Sequence, residues 1–198
     1  HLLRKNQKNR YFREQMKAMN HQILESGTRI MVKRRKMVEM MSTYAFAVHG
    51  RLSYNKENLR LYYDSTVKAT KEEEIKREYL QQLRDAFPED LEKGNTRIGP
   101  HRDDLGIELN GLDARTYASQ GQQRTVVLSL KLTEVQLIEN AFQNMPILLL
   151  DDIFSELDEK RQQYLLDAIG EGQVFITSAE PIKAEMKQTG ENFRVVQG

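Results

Sequence analysis

The sequence predicts an α/β chain with a helical N-terminal part, on three observations. Residues 147–150 (ILLL) are a short apolar run that ends in Asp151 and Asp152, as a strand buried on both faces of a parallel sheet would. From Gln122 onward the patterning alternates helix, strand, helix, strand, which is half of an α/β sheet. The first fifty residues hold no proline and repeat apolar residues at helical spacing.

At 198 residues the chain is long enough for one domain, and its 39% hydrophobic content can bury a core. No apolar run reaches the length of about eighteen that a membrane-spanning helix needs. Cysteine is absent, which excludes disulfides and thiolate metal sites, and no signal peptide is recognisable, so a cytoplasmic protein is expected. The net charge of +1 conceals an uneven distribution. Residues 1–36 carry eleven Lys or Arg against two acids, whereas residues 151–198 carry ten acids against five bases. Such asymmetry fits a polyanion-facing end and a metal- or partner-facing end.

Residues 1–50 read as two helices separated at Gly27 and Thr28. Phe12, Met16, Met19 and Ile23 line the first; Ile30, Val32, Met37, Met40, Met41, Tyr44 and Val48 line the second. The expected product is an antiparallel helical arm whose methionines suit irregular packing. Lys33, Arg34, Arg35 and Lys36 are its candidates for contact with DNA phosphates, because phosphate neutralisation needs clustered cations. The same charges fit a solvated helix face equally well.

Residues 58–64 (NLRLYYD) alternate apolar and polar, as a half-buried strand does. Residues 71–87 form a helix with Ile75, Tyr79, Leu80, Leu83 and Phe87 on one face, three glutamates at its positive end and Pro88 as its stop. A turn-rich link at 89–95 marks a domain boundary, dividing the chain into 1–95 and 96–198. Gly99-Pro100 then makes a turn before His101, Arg102, Asp103 and Asp104; adjacent residues seldom converge on one ion, which favours a turn over a metal site. Ile107 and Leu109, followed by Asn110-Gly111 and Leu112, predict a tight hairpin.

YASQGQQR (117–124) opens a helix over 122–143 that is apolar on nearly all sides and is therefore expected to be buried. Ser119 is placed as its N-cap, and Gly121 permits close approach to the free N–H groups there. The strand at 147–150 follows, and an apolar strand ending in Asp at the carboxyl edge of a sheet is the layout of a Walker B element. A helix at 160–169, a strand at 173–177 (QVFIT) ending in Thr177 and Ser178, a helix at 180–187 and a last strand at 193–196 complete the chain.

SQGQQR opening a helix, then ILLLDD, then SELD resemble the C-terminal half of the ATPase head of the ABC superfamily, in its SMC-like branch. With GPHRDDL before them and QVFIT after, the motifs cover residues 96–178 and resemble the RecF family of bacterial recombination-repair proteins. The resemblance implies a parallel-sheet head lobe at 96–198 and an α-helical arm domain at 1–95. It implies that Ser119, Gly121 and Gln122 are signature residues touching the γ-phosphate of ATP held by an opposite subunit. Asp151 then acts on Mg²⁺, Asp152 stands where a catalytic glutamate is usual, and Asp158 lies in the D-loop at the dimer interface. Ser178, or Thr177 beside it, takes a switch position usually held by His. Members of the family are implied to dimerise with ATP, to bind DNA at gaps and junctions, and to work with RecR and RecO in loading RecA during repair and the SOS response.

Asp152 in place of Glu, and no His at 178, imply slow hydrolysis with ATP as a dimerisation switch; a rate of many turnovers per second would oppose this. A larger departure is that GxxxxGK followed by Ser or Thr occurs nowhere in the sequence. The chain is therefore expected to be the C-terminal portion of such a protein, beginning inside its arm, and by itself neither to hydrolyse ATP nor to bind it tightly. Two other readings are the head of another SMC-like ATPase and a non-enzymatic scaffold that binds protein. GPHRDDL and the short arm favour the RecF family over the first.

Overall fold

The structure is a computed structural model in which residues 10–169, 172–179, 191 and 193–195 are described. Its spine is α1 (Arg10–Leu52), one helix of 43 residues where two were expected. Gly27 does not break it. A Cβ at this buried position would lie 2.6 Å from Tyr79 Cε1, so the missing side chain admits a ring from the neighbouring helix. That packing offsets the roughly 0.5–1 kcal/mol that glycine costs inside a helix. The helix packed against this stretch of α1 is accordingly α2 (Glu72–Lys93), not another part of the first fifty residues.

The inward face of α1 matches the expected stripe only in part, through Val48, which is buried, and Ile23, Val32 and Met41, which pack against the core. Leu24, Met31, Ala45, Val48 and Leu52 are buried, whereas Ile30, Met37, Met40 and Tyr44 are exposed. The buried seam runs through Thr28, Arg35, Ser42 and His49, polar residues seven apart in sequence. Three of them find partners across the seam: Arg35 donates to Val67 O (2.5 Å), Ser42 Oγ accepts from Leu61 N–H (3.2 Å), and His49 is held by Ser129 and Glu57. Phe12, Met16 and Met19 lie outside the residues whose side chains are described.

α2 also runs past its expected end. Pro88 sits inside it on the exposed side, and the helix stops at Gly94, whose φ of 69° and N–H bond to Asp90 O (2.8 Å) form a left-handed cap. The glycine, rather than the proline, terminates the element.

An antiparallel sheet packs against α1. Its strands are β1 (Leu59–Asp64), β2 (Asp104–Leu109) and the short β3 (Leu112–Asp113), in that order. β1 pairs with β2 from Leu59↔Leu109 to Asp64↔Asp104, so this sheet joins a strand before residue 95 to two strands after it. Asn110 (φ 54°) and Gly111 (φ 80°) are both left-handed, the geometry of a type I′ hairpin, as Asn-Gly predicts. The chain continues through α3 (Ala114–Tyr117) into α4 (Gln120–Phe142). Next come β4 (Leu148–Asp151), a 3₁₀ turn (Ile153–Glu156), α5 (Glu159–Ile169) and β5 (Val174–Thr177). β4 and β5 pair in parallel, as the α/β expectation requires.

Three apolar clusters lie in sequence along α1. The first joins Leu24 and Met31 to Val67, Ile75 and Tyr79. The second joins Ala45 to Leu59, Leu61, Leu109 and Val126. The third joins Val48 and Leu52 to Leu128, Leu132, Phe154, Leu165 and Ile169, with β4 and β5 packed against it.

Two burial expectations are corrected. β4 and β5 are covered on one face only, leaving Ile147, Leu149 and Phe175 exposed at 62%, 76% and 54%. α4 is covered along Thr125, Val126, Leu128, Ser129, Leu132 and Thr133, while Val127 and Phe142 face outward. In both cases the covering layer on the second side is not supplied by the described residues. The expected helix at 180–187 lies outside those residues, and 193–195 form no strand.

Candidate nucleotide site

The residues predicted for a nucleotide site occupy the starts of two helices and the edge of the parallel strand pair. At the start of α4, Ser119 and Gln122 form a capping box. Ser119 Oγ accepts from Gln122 N–H (3.3 Å), and Gln122 Oε1 accepts from Ser119 N–H (2.8 Å). The N–H groups of Gln120 and Gly121, in the first turn, have no intrahelical acceptor. A Cβ on Gly121 would meet nothing within 4 Å, so the space over this turn is open. Open space, donors and the positive end of a 23-residue helix together suit an anionic group.

At the carboxyl edge of the strands, the register sets Asp151 beside Thr177. The Thr177 hydroxyl donates to Asp151 Oδ1, and Asp152 N–H reaches both Thr177 O and Thr177 Oγ1 at 3.1 Å. Thr177, not Ser178, is therefore the residue bonded to Asp151; both are exposed, as are the two aspartates. Asp152 has a left-handed backbone (φ 50°), which short Asp side chains adopt more readily than longer ones. That is a local reason for Asp at a position where Glu was the expected pattern.

These carboxylates are hard oxygen donors, and among the described residues no group of three or more His, Cys, Asp or Glu gathers to enclose an ion. The donor set fits Mg²⁺, which takes one or two carboxylates and fills its remaining positions with water and phosphate oxygens.

At the start of α5, Asp158 accepts from Arg161 N–H (2.9 Å) and from Tyr54 Oη–H (3.1 Å), and pairs with the Arg161 guanidinium (3.4 Å). The Arg161 backbone N–H, and then Tyr54 and the Arg161 charge, hold this carboxyl below the usual range.

The structure adds His49, Tyr54 and Glu57, which the sequence motifs do not include. His49 is fully buried. Its Nδ1 lies 2.9 Å from Ser129 Oγ and its Nε2 lies 3.1 Å from Glu57 Oε2. The other oxygen of Glu57 accepts from Gln122 Nε2 (2.8 Å), so one carboxylate joins the buried imidazole to the cap of α4. Ser129 gives its own proton to Thr125 O (2.7 Å), and its oxygen then accepts from Nδ1–H. With Ser129 so oriented both bonds need the imidazolium, whereas a neutral ring protonated on Nε2 keeps both when the Ser129 hydroxyl turns to donate to Nδ1. Burial pushes the His49 pKa down and Glu57 opposes it, with burial the larger effect. A polar residue in register with a buried helix stripe is the signal that marks this position.

The basic run on α1 divides. Arg34 donates to Pro100 O (2.5 Å), and Arg35 bonds Val67 O with its guanidinium 5.3 Å from the Tyr63 ring centre, while Lys33 and Lys36 are exposed. The polar run after Pro100 is a turn, as expected. His101 Nε2–H donates to Thr96 O (2.7 Å), Asp103 accepts from Tyr63, and Asp104 pairs with Arg115 (3.2 Å). No helix among the described residues is long and apolar enough to cross a membrane.

A scan against models of protein families found no match. Among curated proteins, the chain is 43% identical over 166 residues to the DNA replication and repair protein RecF of Alkaliphilus oremlandii, covering 82% of this chain and 46% of that protein. It is 40% identical over 205 aligned positions to RecF of Lysinibacillus sphaericus, covering 100% of this chain and 55% of that protein. The chain thus spans about half the length of the curated relatives it matches. Among solved structures it is similar to the recombination mediator protein RecF with ATPrS in the RecFOR pathway. That match has a TM-score of 0.78 and 30% identity, and covers 90% of this chain and 48% of the other. The corresponding structure with ATP gives a TM-score of 0.77 at 30% identity. Together with the motif order, these likenesses establish that the chain belongs to the RecF family of DNA replication and repair proteins, as a C-terminal portion of it.

Proposed function

We propose that this chain supplies the signature half of an ATP site shared between two copies of the intact protein. The observation that carries the reading is the start of α4, where a capped helix end with open space over Gly121 presents free N–H groups outward. An anion reaching this turn must come from outside the 119–122 segment, as the γ-phosphate of ATP on an opposite subunit would. ATP in one solved relative and ATPrS in the other support the ligand.

On this reading Ser119, Gly121 and Gln122 receive the phosphate, Asp151 would hold Mg²⁺, and Asp152 orients the attacking water. Bound Mg²⁺ neutralises charge on the phosphates. Ser178 or Thr177 is the switch residue, Thr177 being favoured by its bond to Asp151. Asp158 stands at the dimer interface. ATP then acts chiefly as a dimerisation switch with slow hydrolysis. Residues 1–95 serve as the arm domain and 96–198 as part of the ATPase head, with β1 as the arm's strand in the shared sheet. The intact protein binds DNA at gaps and junctions, and acts in the cytoplasm with RecR and RecO to load RecA in recombinational repair and the SOS response.

The test is Ser119→Arg in the intact protein, which fills the open turn. Sedimentation velocity with and without ATP is expected to show loss of the ATP-dependent dimer, while ATP affinity of the monomer stays within about twofold. Undiminished dimerisation would contradict the proposal.

A further inference from the structure

The connection between α1 and β1, residues 53–58, touches both helix starts that the proposed function uses. Its backbone is folded back on the end of α1: Ser53 N–H bonds His49 O (2.8 Å), Asn55 N–H bonds Gly50 O (2.6 Å), and Lys56 N–H bonds Ser53 O (3.1 Å). Tyr54 (φ 56°) and Asn55 (φ 57°) are consecutive non-glycine residues in the left-handed region, a conformation that persists only where the surroundings hold it.

Two side chains leave this connection in different directions. Glu57 takes Gln122 Nε2–H on one oxygen (2.8 Å) and faces His49 on the other (3.1 Å). Because Gln122 Oε1 already accepts from Ser119 N–H, both ends of that amide are committed and its plane is fixed. Tyr54 donates to Asp158 Oδ1 (3.1 Å), and the Lys160 ammonium lies 5.7 Å from the centre of its ring. Arg161, next in the same helix, donates to Leu52 O (3.1 Å). The short turn therefore grips the start of α4 through Glu57 and the start of α5 through Tyr54, and α1, which carries the turn, adds the bond from Leu52 O to Arg161.

We infer that Glu57 and Tyr54 are positioning residues: they set the signature segment and the Asp158 segment in one rigid relation to α1, so that both meet an opposite subunit together. Glu57 acts through Gln122 and Ser119, and His49 holds Glu57 from behind. Tyr54 acts through Asp158. The inference rests on the proposed ATP-shared dimer, but its local half does not. Glu57 must order residues 119–122 even without nucleotide.

The test compares Glu57→Ala, Glu57→Gln and Tyr54→Phe in the intact protein. Hydrogen–deuterium exchange without nucleotide is expected to quicken at 119–123 in Glu57→Ala, with the buried turns of α4 around Leu128 and Leu132 unchanged. The ATP concentration for half-maximal dimerisation is expected to rise about tenfold in Glu57→Ala, the effect of losing one charge-assisted hydrogen bond. Glu57→Gln keeps an acceptor for Gln122 and is expected to stay within about threefold, and Tyr54→Phe to fall between the two. ATP affinity of the monomer should not move in any variant. Unchanged exchange at 119–123 in Glu57→Ala would overturn the inference. So would an equal loss in Glu57→Gln and Glu57→Ala, or a parallel fall in monomer affinity, since either would mark a general packing defect. Failure of the unsubstituted protein to dimerise with ATP would instead overturn the shared-site proposal, and with it the dimer half of this inference, leaving the exchange result to decide the local half.

Discussion

His49 sits where hydrogen bonding and burial pull against each other. Glu57 favours the imidazolium, yet the ring is fully buried and, with burial the larger effect, its pKa is lowered. A folded-state pKa below the ordinary value of about 6.5 means that the unfolded chain takes up the proton first. Stability should therefore fall as pH drops through about 6.5, and level off once His49 itself protonates at its lower pKa. The slope from this one group cannot exceed about 1.4 kcal/mol per pH unit. Thermal unfolding from pH 8 to pH 5 is expected to show this decline, and a His49→Gln variant to lose most of it. An identical decline in both proteins would assign the pH dependence to other groups. Asp158 acts in the opposite sense, because its lowered pKa stabilises the fold at neutral pH and that contribution is lost only as pH falls through the acid range.

α1 shows why an element can be legible while its orientation is not. Its helical character follows from composition, but its buried face passes through Thr28, Arg35, Ser42 and His49, so the apolar count set the exposed Ile30, Met37, Met40 and Tyr44 on one stripe with Val32, Met41 and Val48, which do pack inward. Gly27 misled for a related reason: a glycine needed for close packing looks the same in sequence as one that ends a helix. The face assigned to α1 has a consequence for DNA. Lys33 and Lys36 project away from that buried face into solvent, while Arg34 and Arg35 are bonded within the protein. Charge reversal at Lys33 and Lys36 is expected to weaken duplex binding and to make the log–log salt dependence shallower by about two, near one unit for each phosphate left without its lysine. Unchanged affinity and slope would place those lysines on a solvated face. The α4 start, the β4 strand with its aspartates and the Asn110-Gly111 turn were legible because each depends on neighbours in sequence. Glu57 and Tyr54 were not, because their meaning lies in hydrogen bonds to Gln122 and Asp158, 65 and 104 residues away.

At the scale of the molecule, α1 ties together three apolar clusters, and the third of them supports the parallel strands that carry Asp151 and Thr177. The outward face of those strands, with Ile147, Leu149 and Phe175, is apolar and open. On the proposed reading the remainder of the intact protein covers it and brings the phosphate-cradling loop that the sequence lacks. On the same proposed reading, the signature residues of one copy complete the site built on Asp151 of another. Mixing two defective intact proteins, Ser119→Arg and Asp151→Asn, tests it directly, because the heterodimer would hold one site in which both halves are sound. Sedimentation velocity with ATP is predicted to show little dimer for either protein alone and a clear dimer for the equimolar mixture. A mixture no better than its two components would contradict a site shared between subunits.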